Sequence, residues 1–463
     1  MANGLYYLAL LPFVLLIGYL SIVSFDKLFY LVVFFVPLSV PLQLFAPSFD
    51  FNIQLPTEPI LIILMGLFIF RLIYEKKIDR NILLHPISIA IYANLIWIFI
   101  TSVTSSIPLV SFKYLLSRVW FVASFYFIAT QIFQKKKGMR LFVWAYLPAM
   151  IMVIAYAIIH LAQFGFFDQQ AAHLSPNPFF NDHTSYGAII AMLLPFSIGF
   201  AITRKYSPQL RVICWLLVAA LFFALLLSYG RAAWISVAIA IGVLIVLLLK
   251  INFRILLIVA SLFGLLIYLN QSSIFMKMER NKQDSSKDLI KHIESMSNIR
   301  TDVSNLERLN RWKSAYRMIN ERPFWGWGPN TYMFNYGRFQ LFKDKTPIST
   351  NSGNMGNAHS EYIGPLVESG IFGLLSFLAI VIITLYTGIR LFARAAHHQQ
   401  TQILIVSALL GLITYYVHGL LNNFLDTDKA SALFWGFTAM IAALDVYHVR
   451  KFEEKKEETT QYS

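Results

Sequence analysis

Long runs without a single Asp, Glu, Lys or Arg dominate this chain: Leu5–Phe25, Leu28–Phe49, Ile82–Phe112, Leu141–Phe167, Val212–Gly230, Ala232–Leu249 and Ile255–Met276. A helix needs about 20 apolar residues to cross the hydrocarbon core of a bilayer. In lipid every backbone polar group must be satisfied within the segment, so such runs fold as helices. With weaker runs near residues 59–74, 113–134, 184–203, 369–389, 401–424 and 430–448, the pattern predicts about 12 or 13 spans. The predicted fold class is an all-α polytopic membrane protein with one large loop domain outside the bilayer. Only 13% of the residues are charged, against about 25% in soluble domains, which excludes a soluble enzyme.

The first run has neither a basic flank nor a small-residue cleavage site, and another span follows at once, so it reads as a retained helix. Cys214 is the single cysteine and lies in an apolar run, which argues against disulfides, zinc and thiol catalysis. The net charge of +14 would point to nucleic acid if it formed one face. Instead the basic residues sit in short connections: Lys76 to Arg80, Lys135 to Lys137, Arg204-Lys205, Lys250 to Arg254, Arg390 to Arg394 and Arg450 to Lys456. Positive loops stay in the cytoplasm. The opposite connections, 164–183, the Tyr229–Arg231 corner, 271–358 and 422–429, are then extracytoplasmic. The expected organisation is a transmembrane region over 1–270 with about 10 spans, an extracytoplasmic, partly helical domain over 271–358, C-terminal spans over 359–448, and a charged cytoplasmic tail over 449–463.

In the outer loop, Lys277–Arg300 lacks regularly spaced apolar residues. Ser304-Asn305-Leu306-Glu307 then reads as a capping box, followed by Leu306, Leu309, Trp312, Tyr316 and Ile319 at helical spacing until Pro323. Such a helix either lies flat at the lipid interface or packs on a small domain of its own. The block Pro323-Phe324-Trp325-Gly326-Trp327-Gly328-Pro329 predicts a compact turn, whose rings either stack on sugars or anchor at the interface.

Polar groups placed at a membrane are costly and usually functional. Arg231 stands between two apolar runs; it reads as a helix-end anchor or as a pyrophosphate clamp, since its fork matches phosphate oxygens and stays charged. His359 lies where the long loop re-enters the membrane. Glu361 and Glu368, seven apart, share a helix face, and one of them is expected to orient the imidazole. Asp182 or Thr184 is expected to cap the helix that begins near His183. Arg308 and Arg311 are further cation candidates. Asp426-Thr427-Asp428 resembles a metal-holding acidic pair, but Lys429 beside it favours a plain polar loop.

These residues resemble the O-antigen ligase and polymerase superfamily of bacterial envelope glycan assembly. The resemblance covers roughly 160–430 and rests on Asn177-Pro178-Phe179 with Asn181-Asp182-His183, Ser228-Tyr229-Gly230-Arg231, Arg311-Trp312, the aromatic–glycine block, and His359 with Glu368-Ser369-Gly370. It implies a metal-independent membrane glycosyltransferase without cofactor, in the bacterial plasma membrane. The donor would be an undecaprenyl-pyrophosphate-linked glycan, the acceptor a lipid-anchored or glycan hydroxyl. It implies catalytic roles for His359 and Arg231. Arg311, Arg308, Glu368, Glu361, His183, Asp182 and Trp327 are the expected substrate-binding residues. Where family members often carry another arginine, this chain has His173 and His183. Attack at the anomeric carbon would invert it. An O-antigen ligase is the first expectation; a polymerase of the same superfamily, a protein-directed oligosaccharyltransferase, and a transporter of lipid-linked sugars are the alternatives.

Overall fold

Apolar runs punctuated by proline and serine fold here into a bundle of long helices. A computed structural model describes residues 11–46, 53–74, 79–251, 303–347, 349–350 and 356–450. The Ile255–Met276 run, the Lys277–Arg300 stretch and most of the basic tail lie outside the described residues. Two short helices, α1 (Leu11–Val23) and α2 (Phe25–Phe35), come first. Then follow α3 (Thr57–Tyr74), α4 (Pro86–Val103), α5 (Pro108–Ile132), α6 (Lys136–Ala162), the short α7 (Gln169–Leu174), α8 (His183–Ile202), α9 (Pro208–Leu227) and α10 (Arg231–Leu248). After the undescribed segment come α11 (Val303–Glu321), α12 (Ile363–Arg394), α13 (Gln399–His418) and α14 (Asp428–Val449). Ten of these are long and apolar enough to span a bilayer among the described residues.

Two expected boundaries move. The Leu28–Phe49 run is not one helix: α2 stops at Phe35, and Pro37 and Pro41 turn the chain into a two-residue strand, Val40–Pro41, paired antiparallel with Gln54–Leu55. The Ile82–Phe112 run is broken between Val103 and Pro108. There Ser105 Oγ accepts the Ile107 N–H at 3.0 Å and Pro108 starts α5, a position where its missing N–H costs nothing.

Hydropathy and burial run in opposite directions. The span windows of α9 and α10 have mean hydropathy of 2.6 and 2.4 and are 22% buried, whereas α14, at 1.4, is wholly buried. Lipid tails are as apolar as leucine, so a helix facing lipid must be apolar, while one facing other helices is free to carry small and polar residues. The centre of the bundle is therefore α14, flanked by α8 and α13, and it is lined by Phe434, Trp435 and Phe437.

Basic connections fall at one end of this bundle: Lys135 before α6, Arg204-Lys205 between α8 and α9, Lys250 after α10, and Arg394 at the close of α12. The other end carries the Ser228–Gly230 corner, the 419–427 connection and the segment of α11. That segment is a small domain with its own core. Ala315 and Met318 of α11 pack with Trp327, Tyr332, Tyr336, Phe339, Ala358 and Val367, which is the packed-domain alternative rather than a helix lying on lipid. Helix α11 already begins at Val303, so Ser304 lies inside it, and Glu307 spends its carboxylate on other partners. The capping-box expectation is corrected accordingly.

Candidate active site

The domain is bolted to the bundle through a kink in α12. Gly370 takes φ 68° and ψ −169° inside the helix, and the backbone groups it frees find named partners. Ile371 N–H donates to Pro323 O at 2.9 Å, and Trp97 Nε1 donates to Ser369 O at 2.7 Å. Gly328 N–H donates to Glu368 O at 2.8 Å, and Trp327 N–H to Val367 O at 3.1 Å. A Cβ at Gly370 would stand 2.0 Å from Phe324 O, so only glycine permits this contact.

The same packing seats the strip from Gly356 to Glu361. From α11, Arg311 Nη1 donates to Asn357 O at 3.2 Å and Trp312 Nε1 to Ala358 O at 3.1 Å. Asn357 Oδ1 accepts the His359 N–H at 3.1 Å, and Glu361 N–H donates to Gly419 O at 2.8 Å. Ser360 Oγ accepts the Tyr362 and Ile363 N–H groups at the start of α12. Held from both sides, His359 adopts φ 47°, a left-handed conformation that costs a non-glycine residue of order 1–3 kcal/mol and concentrates at functional positions.

Among the described residues no hydrogen bond holds the His359 ring. Burial, followed by the charges of Arg311 and Arg308, pushes its pKa down to about 3, with Asp182 and Glu307 pulling the other way. Arg311 is itself buried and fixed by Glu307 Oε1 at 2.9 Å. Burial opposes ionisation of Glu307, but hydrogen bonds from Ser349, Thr346 and Arg311 outweigh it and hold that carboxyl below its usual range. The result is a neutral, unbonded imidazole facing two guanidinium groups.

The first turns of α8 complete this end. Asp182 caps the helix, its Oδ1 accepting Ser185 N–H and Thr184 Oγ1–H, each at 2.7 Å. His183 stacks face to face on His173, with ring centres 3.8 Å apart and planes 9° from parallel. The Ser228–Gly230 corner rests on this turn: a Cβ at Gly230 would lie 3.9 Å from His183 O and 3.2 Å from Ser228 Oγ. Arg231 follows as the first residue of α10. It thus shares the end of the bundle with His359, yet the charges acting most strongly on that imidazole are Arg311 and Arg308.

Three expectations about individual side chains need correction. Glu361 lies ahead of α12, not on it, and its Oε1 accepts Tyr415 Oη–H, Phe424 N–H and Leu425 N–H at 2.6, 2.7 and 2.9 Å. Glu368 accepts Asn330 N–H at 2.8 Å and Tyr332 N–H at 3.2 Å. Both carboxylates therefore pin loops, and neither orients the imidazole. Trp327 is 3% exposed, its Nε1 donates to Met318 O at 3.0 Å, and Arg322 and Arg338 lie over its ring at 4.2 and 4.4 Å. The ring therefore presents no open face in this structure.

Asp426 and Asp428 part company. Asp428 is buried and accepts from Ser39 Oγ and Thr57 Oγ1, both at 2.6 Å, with Lys429 Nζ at 3.3 Å, tying α14 to the N-terminal segment. Asp426 lines a cavity together with Glu361 and Arg118, one whose lining takes in Asn357, Ala358 and Ser360 but not His359. Arg118 was not singled out from the sequence, although a lone arginine in the middle of an apolar run is itself the signal.

Fold and sequence together make this a multi-pass helical membrane protein with a domain-covered polar site at one end. Residues 215–378 match the family model described as O-antigen ligase, a similarity that supports the superfamily resemblance read from the motifs. The match takes in the Ser228–Arg231 corner, α11, the aromatic–glycine block and His359. It leaves out Arg118, Asp182 and Asp426. No curated protein matches the chain.

Proposed function

We propose that this protein moves a glycan from an undecaprenyl-pyrophosphate carrier to a sugar hydroxyl on the extracytoplasmic face of the bacterial plasma membrane, as an inverting O-antigen ligase. The observation that carries the reading is His359, strained in backbone, unbonded at its ring and fronted by Arg311 and Arg308. The acceptor oxygen attacks the anomeric carbon, the bond from that carbon to the pyrophosphate oxygen breaks, and its electron pair leaves with the pyrophosphate. The hydroxyl proton passes to His359, a step typically worth about 10²–10⁴-fold.

Charge on the departing oxygen is what needs stabilising, and fixed guanidinium groups supply it without reorganisation. Arg311 and Arg308 approach from the domain, and Arg231 from the first turn of α10. Pyrophosphate between them and His359 offsets their positive charge, which raises the imidazole toward a pKa useful to a base. The chain's own cations thus take the place that a metal holds in other transferases. The basic loops support this orientation, with the opposite end of the bundle on the outer face. A polymerase would share this donor site and differ in the acceptor.

Replacing His359 by alanine in cells tests the reading. The expected outcome is an inserted protein, lost polymer transfer and lipid-linked precursor accumulating on the outer leaflet. Undiminished transfer, or precursor trapped on the inner leaflet, would overturn it.

A further inference from the structure

Beside the strip lies a polar chamber walled by α4, α5, α12 and α14, with Asn357, Ala358 and Ser360 in its lining. Arg118 reaches it from within a membrane-spanning helix and is 7% exposed. Among the described residues its one hydrogen bond goes to Tyr114 Oη and its Nε has no partner. Asn423 Oδ1, a buried acceptor in the same wall, is likewise without one. Glu361 places all three of its bonds on Oε1, so its Oε2 makes none among the described residues. Native proteins leave few buried polar atoms unpaired, and each one asks for an occupant.

Charge decides the class of that occupant. Glu361 and Asp426 repel a phosphate, which the cations beside His359 attract instead. Arg118 stands among the carboxylates and opposes a metal ion; among the described residues no group of three or more His, Cys, Asp or Glu is placed to hold one. What remains is a neutral molecule that both donates and accepts hydrogen bonds. A hydroxyl does both: it accepts from Arg118 Nε and donates to Asn423 Oδ1 or a carboxylate. The rings of Tyr114 and Trp435 in the same lining offer apolar surface.

We infer that the Arg118–Asn423–Asp426 chamber binds a sugar ring of the glycan, seated beside the strip that carries the reacting imidazole. The inference rests on the proposed transfer and names where one of its two glycans is held. The ring belongs either to the donor or to the acceptor, and kinetics separate the two.

The test uses the full-length protein carrying Arg118→Lys, Asn423→Leu or Asp426→Asn. Steady-state transfer from an undecaprenyl-pyrophosphate-linked glycan is measured while donor and acceptor are varied in turn. The expected result is a rise of about tenfold in KM for one glycan, the scale of one lost hydrogen bond to a charged group, with kcat within threefold and the thermal midpoint unchanged. A rise for the acceptor assigns the chamber to it, and a rise for the donor does the converse. Unchanged KM for both means the chamber holds water only and overturns the inference, as does a loss confined to kcat and thermal stability.

A second arm does not depend on turnover. A photoreactive residue replacing Asn423 in the native cells should capture glycan-bearing material, while the same residue replacing Tyr316, exposed on α11, should not. Equal capture at both positions, or none at 423, also overturns it. Transfer that survives His359→Ala would sink the proposed mechanism instead, leaving the capture result to stand or fall alone.

Discussion

The strip from Gly356 to Glu361 borders two polar environments of opposite character. On one side a neutral imidazole, held by no hydrogen bond among the described residues, faces Arg311 and Arg308. On the other, Glu361 and Glu368 are committed to backbone amides, and Arg118 Nε, Asn423 Oδ1 and Trp435 Nε1 are unpaired among the described residues. The difference teaches how to separate positioning from chemistry in a crowded site. A carboxylate that accepts three bonds holds structure, whereas a group kept in strained backbone with its ring unspent is the one the proposed function assigns to the substrate.

The comparison breaks most sharply at His359. His359→Ala and His359→Gln are expected to lower transfer about 10²–10⁴-fold while the thermal midpoint of the purified protein moves little, since the ring holds nothing in place. Transfer assays beside thermal unfolding decide it. A variant that unfolds early would make the histidine structural.

Next in size is Glu361. Glu361→Ala strands the Leu425 amide and the Tyr415 hydroxyl hydrogen and leaves Phe424 N–H only its bond to Tyr415 Oη, for an expected loss of about 2–4 kcal/mol of stability. Glu361→Gln keeps an acceptor oxygen and is expected to lose less than half of that. Thermal unfolding of both measures the clamp. If Glu361→Ala were as stable as the parent, the 419–427 connection would have to be held by something else.

How much of this the sequence disclosed depends on which physical signal a residue carries. The long spans were legible because lipid-facing helices such as α9 must be apolar throughout. Helix α14 read weakly because it faces only protein. The kink at Gly370 and the seating of Trp327 were not legible, since both depend on contacts between residues distant along the chain. His359 was visible as a polar residue at a membrane re-entry point. The roles of Glu361 and Glu368 were misread because spacing of seven implies a shared face only when both lie on the helix, and Glu361 precedes it.

Trp327 sharpens the comparison from the structural side. Trp327→Phe removes the bond from Nε1 to Met318 O and is expected to lower stability by about 0.5–1.5 kcal/mol, leaving KM for both glycans unchanged. Unfolding and steady-state kinetics on one preparation check it. A large rise in KM would return the ring to the substrate site.

The smallest expected effect is the most specific. Burial comes first among the causes that hold His359 down to about 3, and the charges of Arg311 and Arg308 add to it. Arg308→Gln removes one cation and spares the Arg311–Glu307 pair. With less repulsion the imidazolium is easier to form, so the pKa of the free enzyme rises; burial remains, so it stays below the ordinary value near 6.5. The base must be neutral to act, so the acid limb of kcat/KM moves to higher pH, while the plateau above neutrality falls only by what Arg308 contributes to donor binding. A pH profile from about 2 to 8 spans the parent limb near 3 and reads both quantities at once. A limb that stays in place, or moves to lower pH, would mean that Arg308 does not face the imidazole electrostatically, and the two environments would then differ in bonding but not in charge.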